Sequence, residues 1–127
     1  MSEKEINQTI LDYQNTASLA QLAGYDGVEI MGSEGYLINQ FTANHTNKRT
    51  DAWGGSLANR IRLPIEIISR IRSETGSSFT IMYRLSMLEL IENGNKHSDI
   101  VMIARLAQRA GCDLINTGIG WHESRIP

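Results

Sequence analysis

The sequence predicts an α/β chain, about three parallel strands with flanking helices, and three observations predict it. Helical and strand-like patterns alternate in the order α-β-α-β-α-β. The strand candidates are short, nearly continuous apolar runs, the character of parallel strands that are buried on both faces. Two junctions, Ala23-Gly24-Tyr25-Asp26 and Ala110-Gly111-Cys112-Asp113, repeat the passage from a helix end to a strand start. Alternation of this kind implies parallel strands joined by right-handed helical crossovers.

The first helix starts at Ser2, with Glu5 at capping-box spacing, so that each side chain can satisfy the other residue's free backbone N–H. Ile6, Ile10, Tyr13, Ala17 and Ala20 then form one apolar stripe. Gly24 stops the helix. A strand is expected over Asp26–Met31. A polar stretch follows it, from Gly32 through His45-Thr-Asn-Lys-Arg-Thr-Asp51 to Trp53-Gly54-Gly55. At roughly 25 residues it is too long for a bare connector, and loops of that length are usually functional.

A second helix is expected over Ala58–Thr75, with Ile61, Ile65, Ile68 and Ile71 on its buried face. Pro64 would cost about 3 kcal/mol deep inside a helix. It is accommodated if the regular helix begins near Leu63, which places the proline in the first turn. Phe79–Leu85 is the second strand. Ser86–His97 is a connecting loop with a short helical turn at Leu88–Ile91. Ser98 caps a third helix with Val101, Ala104, Leu106, Ala107 and Ala110 inward. Gly111 ends it, Asp113–Thr117 is the third strand, and the tail from Gly118 to Pro127 shows no regular pattern.

The 127 residues set one domain as the starting expectation. Three strands complete neither a closed eight-stranded barrel of about 250 residues nor a doubly wound sheet of about six strands. The chain is therefore expected to be part of a larger unit. A formal charge of −2 with 20% charged residues does not suggest a nucleic-acid or anionic-membrane partner. Lys48, Arg49, Arg60, Arg62, Arg70 and Arg72 read as a solvated helix face. No apolar run has membrane-spanning length, no secretory signal is visible, and Cys112 reads as a small core residue; a cytoplasmic location follows as the expectation.

The strand tips carry the chemistry. Glu34 and Tyr36 follow the first strand, Arg84 lies near the end of the second, and Trp121, His122, Glu123 and Arg125 follow the third. In a parallel sheet these ends share one edge, so the groups can converge. Tyr36 is protonated at neutral pH and could donate a proton to a carbon turning basic. Arg84 on an apolar strand calls for a carboxylate or a bound ligand opposite it. His97 reads as solvated. The histidines lack HExxH spacing and no CxxC exists, so no metal site is expected. Gly118-Ile119-Gly120 is a lone G-x-G with no helix after it, a weak dinucleotide signal.

Several linked stretches resemble the Old Yellow Enzyme family of FMN-dependent (β/α)8-barrel reductases. They are Ala23-Gly-Tyr-Asp-Gly-Val-Glu-Ile30, Gly35-Tyr-Leu-Ile-Asn-Gln-Phe41, Thr46-Asn-Lys-Arg-Thr-Asp51 and Gly54-Gly-Ser-Leu-Ala-Asn-Arg60. Met31-Gly-Ser-Glu-Gly-Tyr36, Tyr83-Arg-Leu-Ser-Met87 and Asn116 to Pro127 are similar to its bacterial NADPH-dependent 2,4-dienoyl-CoA reductase branch. The resemblance implies a partial TIM (β/α)8 barrel, with residues 1–127 as about strands four to six of the FMN-binding domain. It implies hydride transfer from reduced FMN to a conjugated enoyl or dienoyl thioester, with Tyr36 protonating the carbon. His122 would assist and touch substrate, alongside His45, Glu123, Ser124 and Arg125, and Arg84 would face the flavin. The branch usually has arginine where this chain has His45.

Sites for the FAD, iron–sulfur cluster and NADPH used by the parent family are not expected in these residues, and the segment alone is expected to be inactive. The rival expectation is a non-catalytic α/β piece that self-associates through open sheet edges or binds a partner.

Overall fold

The computed structural model describes residues 1–122; Glu123, Ser124 and Arg125, expected at the substrate, lie outside the described residues. The elements are α1 (Glu3–Leu22), β1 (Gly27–Gly32), α2 (Leu37–Thr42), α3 (Leu57–Arg60), α4 (Arg62–Thr75), β2 (Thr80–Leu88), α5 (His97–Ala110) and β3 (Leu114–Ile119). The strands form one parallel sheet in the order β1-β2-β3. Sequential order without reversal is the order of a barrel wall, whereas doubly wound sheets reverse at a switch point.

Register explains why one face of this sheet is core. Ile30 pairs with Tyr83, and Val28 with Ile81, so these side chains share a face. Ile6, Ile10, Ile67, Ile68, Ile71, Ile100 and Ile103 from α1, α4 and α5 close over it. The opposite face carries Glu29, Met31, Met82, Arg84, Leu114 and Asn116, and no described helix covers it. Within the described residues the strands are covered on one face only, where burial on both was expected. The apolar runs that suggested it alternate here between a helix-packed side and a side with Arg84 and Glu29.

Local signals are obeyed where they are strong. The capping box forms: Ser2 N–H donates to Glu5 Oε2 at 2.6 Å, and Glu5 N–H to Ser2 Oγ at 3.3 Å. Pro64 does sit in the first turn of α4. The single helix expected over Ala58–Thr75 is instead two, α3 and α4, joined at Ile61. On α4 the core positions are Leu63, Ile67, Ile68 and Ile71, while Ile65 is only half-buried. β2 runs on to Leu88, so the helical turn expected at Leu88–Ile91 does not form; Leu90 instead takes a left-handed φ of 56°. Lys96, not Ser98, caps α5, whose deepest residues are Ile100, Ile103 and Ala107; Val101, Ala104, Leu106 and Ala110 are half-buried.

The long stretch after β1 is ordered by its own polar side chains, and it holds a helix, α2, that its polar composition conceals. Buried Asn47 donates to Phe41 O at 2.7 Å and Trp53 O at 2.8 Å. Arg60 is buried too, correcting its reading as part of a solvated face. Its guanidinium donates to Thr42 O at 2.9 Å and Gly55 O at 2.7 Å, so it joins α2 to the glycine turn. Arg72 likewise donates to Gly111 O and Asp113, fastening α4 to the start of β3.

Asp51 gives this stretch an acid-sensitive latch. Its carboxylate accepts from Arg49 and from Trp53 N–H, and these bonds, Arg49 first, hold its pKa below the usual value. A depressed folded-state pKa stabilises above the unfolded value of about 3.9 and ceases to do so as pH falls through the folded value. Hydrogen-exchange protection of the Trp53 amide, corrected for intrinsic rate, should fall as pH drops below about 4. Asp51→Asn should weaken it already at neutral pH. Equal protection in the two proteins at neutral pH would exclude the latch.

Candidate functional site

The three strand tips meet at Glu34. Its bridge to Trp121 brings the segments after β1 and β3 together. Glu34 holds a left-handed φ of 62°, a conformation costing on the order of 1–3 kcal/mol outside glycine. Its N–H donates to Ser86 Oγ at 2.8 Å, which ties it to β2. Its carbonyl accepts from His122 N–H at 3.1 Å, and His122 Nδ1 lies 2.8 Å from the same oxygen. A carbonyl can only accept, so Nδ1 carries the hydrogen and the ring orientation is fixed.

The Glu34 side chain answers the question posed by Arg84. Arg84 Nε and Nη2 donate to Glu34 Oε1 at 3.1 and 2.7 Å. The charge is thus balanced within the chain by a carboxylate. This pairing pushes the Arg84 guanidinium still further above its ordinary value, so it stays cationic. Gly118 explains itself here as well: a Cβ there would lie 2.5 Å from Glu34 Oε1. The first glycine of the G-x-G is an allowance for this ion pair.

Tyr36 follows at once. Gly35, at φ 85°, turns the chain, and a Cβ on it would lie 2.4 Å from the Trp121 ring and 2.7 Å from His122 Nδ1. That close approach stacks Tyr36 on His122, with ring centroids 5.4 Å apart and planes at 24°. Trp121 is buried beside His122 at 6.4 Å, and His45 meets Trp121 edge-on at 5.8 Å. His45 is fixed by a 2.9 Å contact from Nδ1 to Glu92 O. Tyr36 is 50% exposed, so its hydroxyl can meet a ligand while the ring is held. Tyr36, His122, His45 and Arg84 thus gather around one strand-tip node, whereas His97 lies apart at the start of α5.

Behind Tyr36 lies a buried polar cluster with no counterpart among the expected site residues. Asn39 Oδ1 accepts from Gly35 N–H at 2.9 Å, and Asn39 Nδ2 donates to Glu89 Oε1 at 2.7 Å. Asn95 reaches Glu89 with both its backbone and its side chain. One signal was available: Glu89 is a lone carboxylate inside the run Leu88-Glu-Leu-Ile91. By contrast, a cavity of about 440 Å³ between α4 and α5, lined by Ile61, Ile65 and Leu106, shares no residue with the strand-tip cluster.

Arg84 keeps hydrogen-bonding capacity for a ligand. It lies on the uncovered face of the sheet, beside Asn116 in register, and its Nη1 has no hydrogen-bond partner among the described residues. Such N–H donors suit the carbonyl and ring-nitrogen acceptors of an isoalloxazine.

Comparisons with known proteins show the family. The sequence model of the NADH:flavin oxidoreductase / NADH oxidase family matches residues 1–126. An NADPH dehydrogenase of Halalkalibacterium halodurans is 45% identical over 120 residues, covering 94% of this chain and 35% of that protein. A metal reductase of Desulforamulus reducens is 33% identical over 127 residues, covering 100% of this chain and 19% of that protein. Among solved structures, a 2-naphthoyl-CoA reductase complexed with 2-naphthoyl-CoA superposes with a TM-score of 0.95 at 42% identity, covering 98% of this chain and 19% of that one. Morphinone reductase in complex with tetrahydroNAD gives 0.81 at 29% identity, covering 92% and 33%. The chain spans about a fifth to a third of the length of these relatives. No described helix is long and apolar enough to cross a membrane. Three parallel strands with helices packed on one side, a polar node at their tips and a family match along nearly the whole chain lead to one conclusion: this chain belongs to the NADH:flavin oxidoreductase / NADH oxidase family.

Proposed function

We propose that residues 1–127 form the middle of an FMN-binding (β/α)8 barrel, about strands four to six, in an enzyme that reduces a conjugated C=C of an enoyl or dienoyl thioester. The observation that carries this reading is the stacking of Tyr36 on His122 beside the Glu34–Arg84 pair. Bound FMN would supply the hydride, reduced in turn by NAD(P)H. Arg84 would hold the flavin edge through the guanidinium N–H donors that Glu34 leaves over. Tyr36 would hold the proton at Oη and pass it to the carbon next to the thioester carbonyl. His122, anchored through Nδ1, would orient Tyr36 and meet the thioester oxygen, where negative charge spreads. His45 and the segment Glu123, Ser124, Arg125 would line the substrate's approach. The complex of a relative with an acyl-CoA supports the thioester class, and the dienoyl-CoA branch is the assignment we favour within it.

The test is made on the full-length protein. It should purify with visible flavin absorbance, lose the oxidised band when NAD(P)H is added without oxygen, and regain it on addition of an enoyl-CoA. A flavin-free preparation, or reoxidation no faster than in buffer, would refute the reading.

The edges of the sheet favour one rival. Leu114, Ile115 and Ile119 of β3 are 50%, 38% and 68% exposed, so the isolated segment could self-associate there. Concentration-dependent oligomers of residues 1–127 that lack flavin would favour that second reading for the segment.

A further inference from the structure

Glu89 is 3% exposed, and no Lys, Arg or His of the described residues pairs with it. A carboxylate buried without a cation is costly unless neutral donors satisfy it. Here they do so with a definite direction. Asn39 Nδ2 donates to Oε1 at 2.7 Å, Asn95 Nδ2 to Oε1 at 2.9 Å, and Asn95 N–H to Oε2 at 2.5 Å.

Both Glu89 oxygens accept here, and the acceptor at Oε1 compels Asn39 to present its amide NH2. The Asn39 oxygen is then turned to Gly35 N–H, 2.9 Å away. Gly35 is the residue that sets the direction of Tyr36. The chain of dependence runs from the loop after β2, through Glu89 and Asn39, to the backbone immediately before the tyrosine. A neutral amide at position 89 can donate as well as accept, so it would no longer hold the Asn39 NH2 on its side and would leave the Gly35 N–H alone to set the amide's sense. Thr42, also in contact with Asn39, is a hydroxyl that can serve in either sense.

We infer that Glu89 is a positioning residue for proton transfer: by fixing the amide orientation of Asn39 it locks the Gly35–Tyr36 turn and so the place of the Tyr36 hydroxyl. The inference rests on the role proposed above for Tyr36. Misplacing a reacting group by about 1 Å can cost on the order of a hundredfold in rate. The effect should fall on the step that uses the tyrosine and spare the step that does not.

The experiment separates the two half-reactions in the full-length flavoprotein by stopped flow. Glu89→Gln should slow flavin reoxidation by an enoyl-CoA by about tenfold to a hundredfold, while flavin reduction by NAD(P)H stays within about twofold. The reversed pair, Glu89→Gln with Asn39→Asp, lets residue 89 donate and residue 39 accept from both partners. It should recover most of the reoxidation rate. If Glu89→Gln alone does not fold, the reversed pair still decides: near-wild-type reoxidation supports the inference and a slow, folded double variant overturns it. Equal slowing of both half-reactions by Glu89→Gln would show a merely structural role and overturn it. So would unchanged reoxidation in Glu89→Gln when Tyr36→Phe is slow, an outcome that leaves the Tyr36 reading standing. If Tyr36→Phe itself reoxidises at the normal rate, the Tyr36 reading fails and this inference falls with it.

Discussion

With Tyr36 as the proposed proton donor, Tyr36→Phe in the full-length protein should lower the rate of substrate reduction by about 10²–10⁴-fold, the range typical of a lost general acid. The ring should stay where it is. It is held by stacking on His122 and by the turn at Gly35, and neither contact uses the hydroxyl. The loss would therefore be of the proton alone. On the proposed mechanism, flavin reduction by NAD(P)H would move no proton through this residue and should proceed as in wild type. Rapid-mixing measurement of the two half-reactions checks both statements together. Normal reoxidation in the variant would remove Tyr36 from the proton path, and slowing of both steps would point to disturbed packing.

Gly32→Ala should destabilise the protein by about 2–3 kcal/mol, in the range of overpacking at a closed site. A Cβ at position 32 would lie 2.2 Å from Cζ and Oη of Tyr83. Tyr83 is fully buried among the helices and has no room to withdraw. Burial also raises its phenol pKa well above the ordinary value, which favours the neutral phenol. Its hydroxyl has no hydrogen-bond partner among the described residues, so Tyr83→Phe should be neutral or slightly stabilising. The clash itself is with the ring. Tyr83→Leu should therefore relieve Gly32→Ala, and a denaturant-melt double-mutant cycle should show strong non-additivity. Additive losses would mean that the added methyl is accommodated elsewhere.

Glycines differ in how far sequence reading reaches them. Gly24 and Gly111 stop helices, and the pattern around each shows it without coordinates. Gly32 looks like one more loop residue until register places it against Tyr83. The same contrast separates the helices. α1 is legible because its cap and its stripe lie within the span that forms it. α2 is only six residues long, and Tyr36 at its N-terminus makes no side-chain cap bond, so its sequence carries no start signal. Arg60 read as surface because arginine usually is; burial follows from Thr42 O and Gly55 O, carbonyls that no local pattern reveals.

The alternation of elements, the parallel sheet and the candidate residues at its strand tips were fixed by the chain's own order of residues, since periodicity and turn chemistry act over a few positions. Tertiary structure alone decided that Glu34 neutralises Arg84, that His122 stacks on Tyr36, and that Glu89 stands behind Asn39. Those pairs are separated by 50 or more positions in sequence. Their meeting depends on strand register and on the left-handed turn at Glu34, and both are settled only when the sheet and its helix layer pack together.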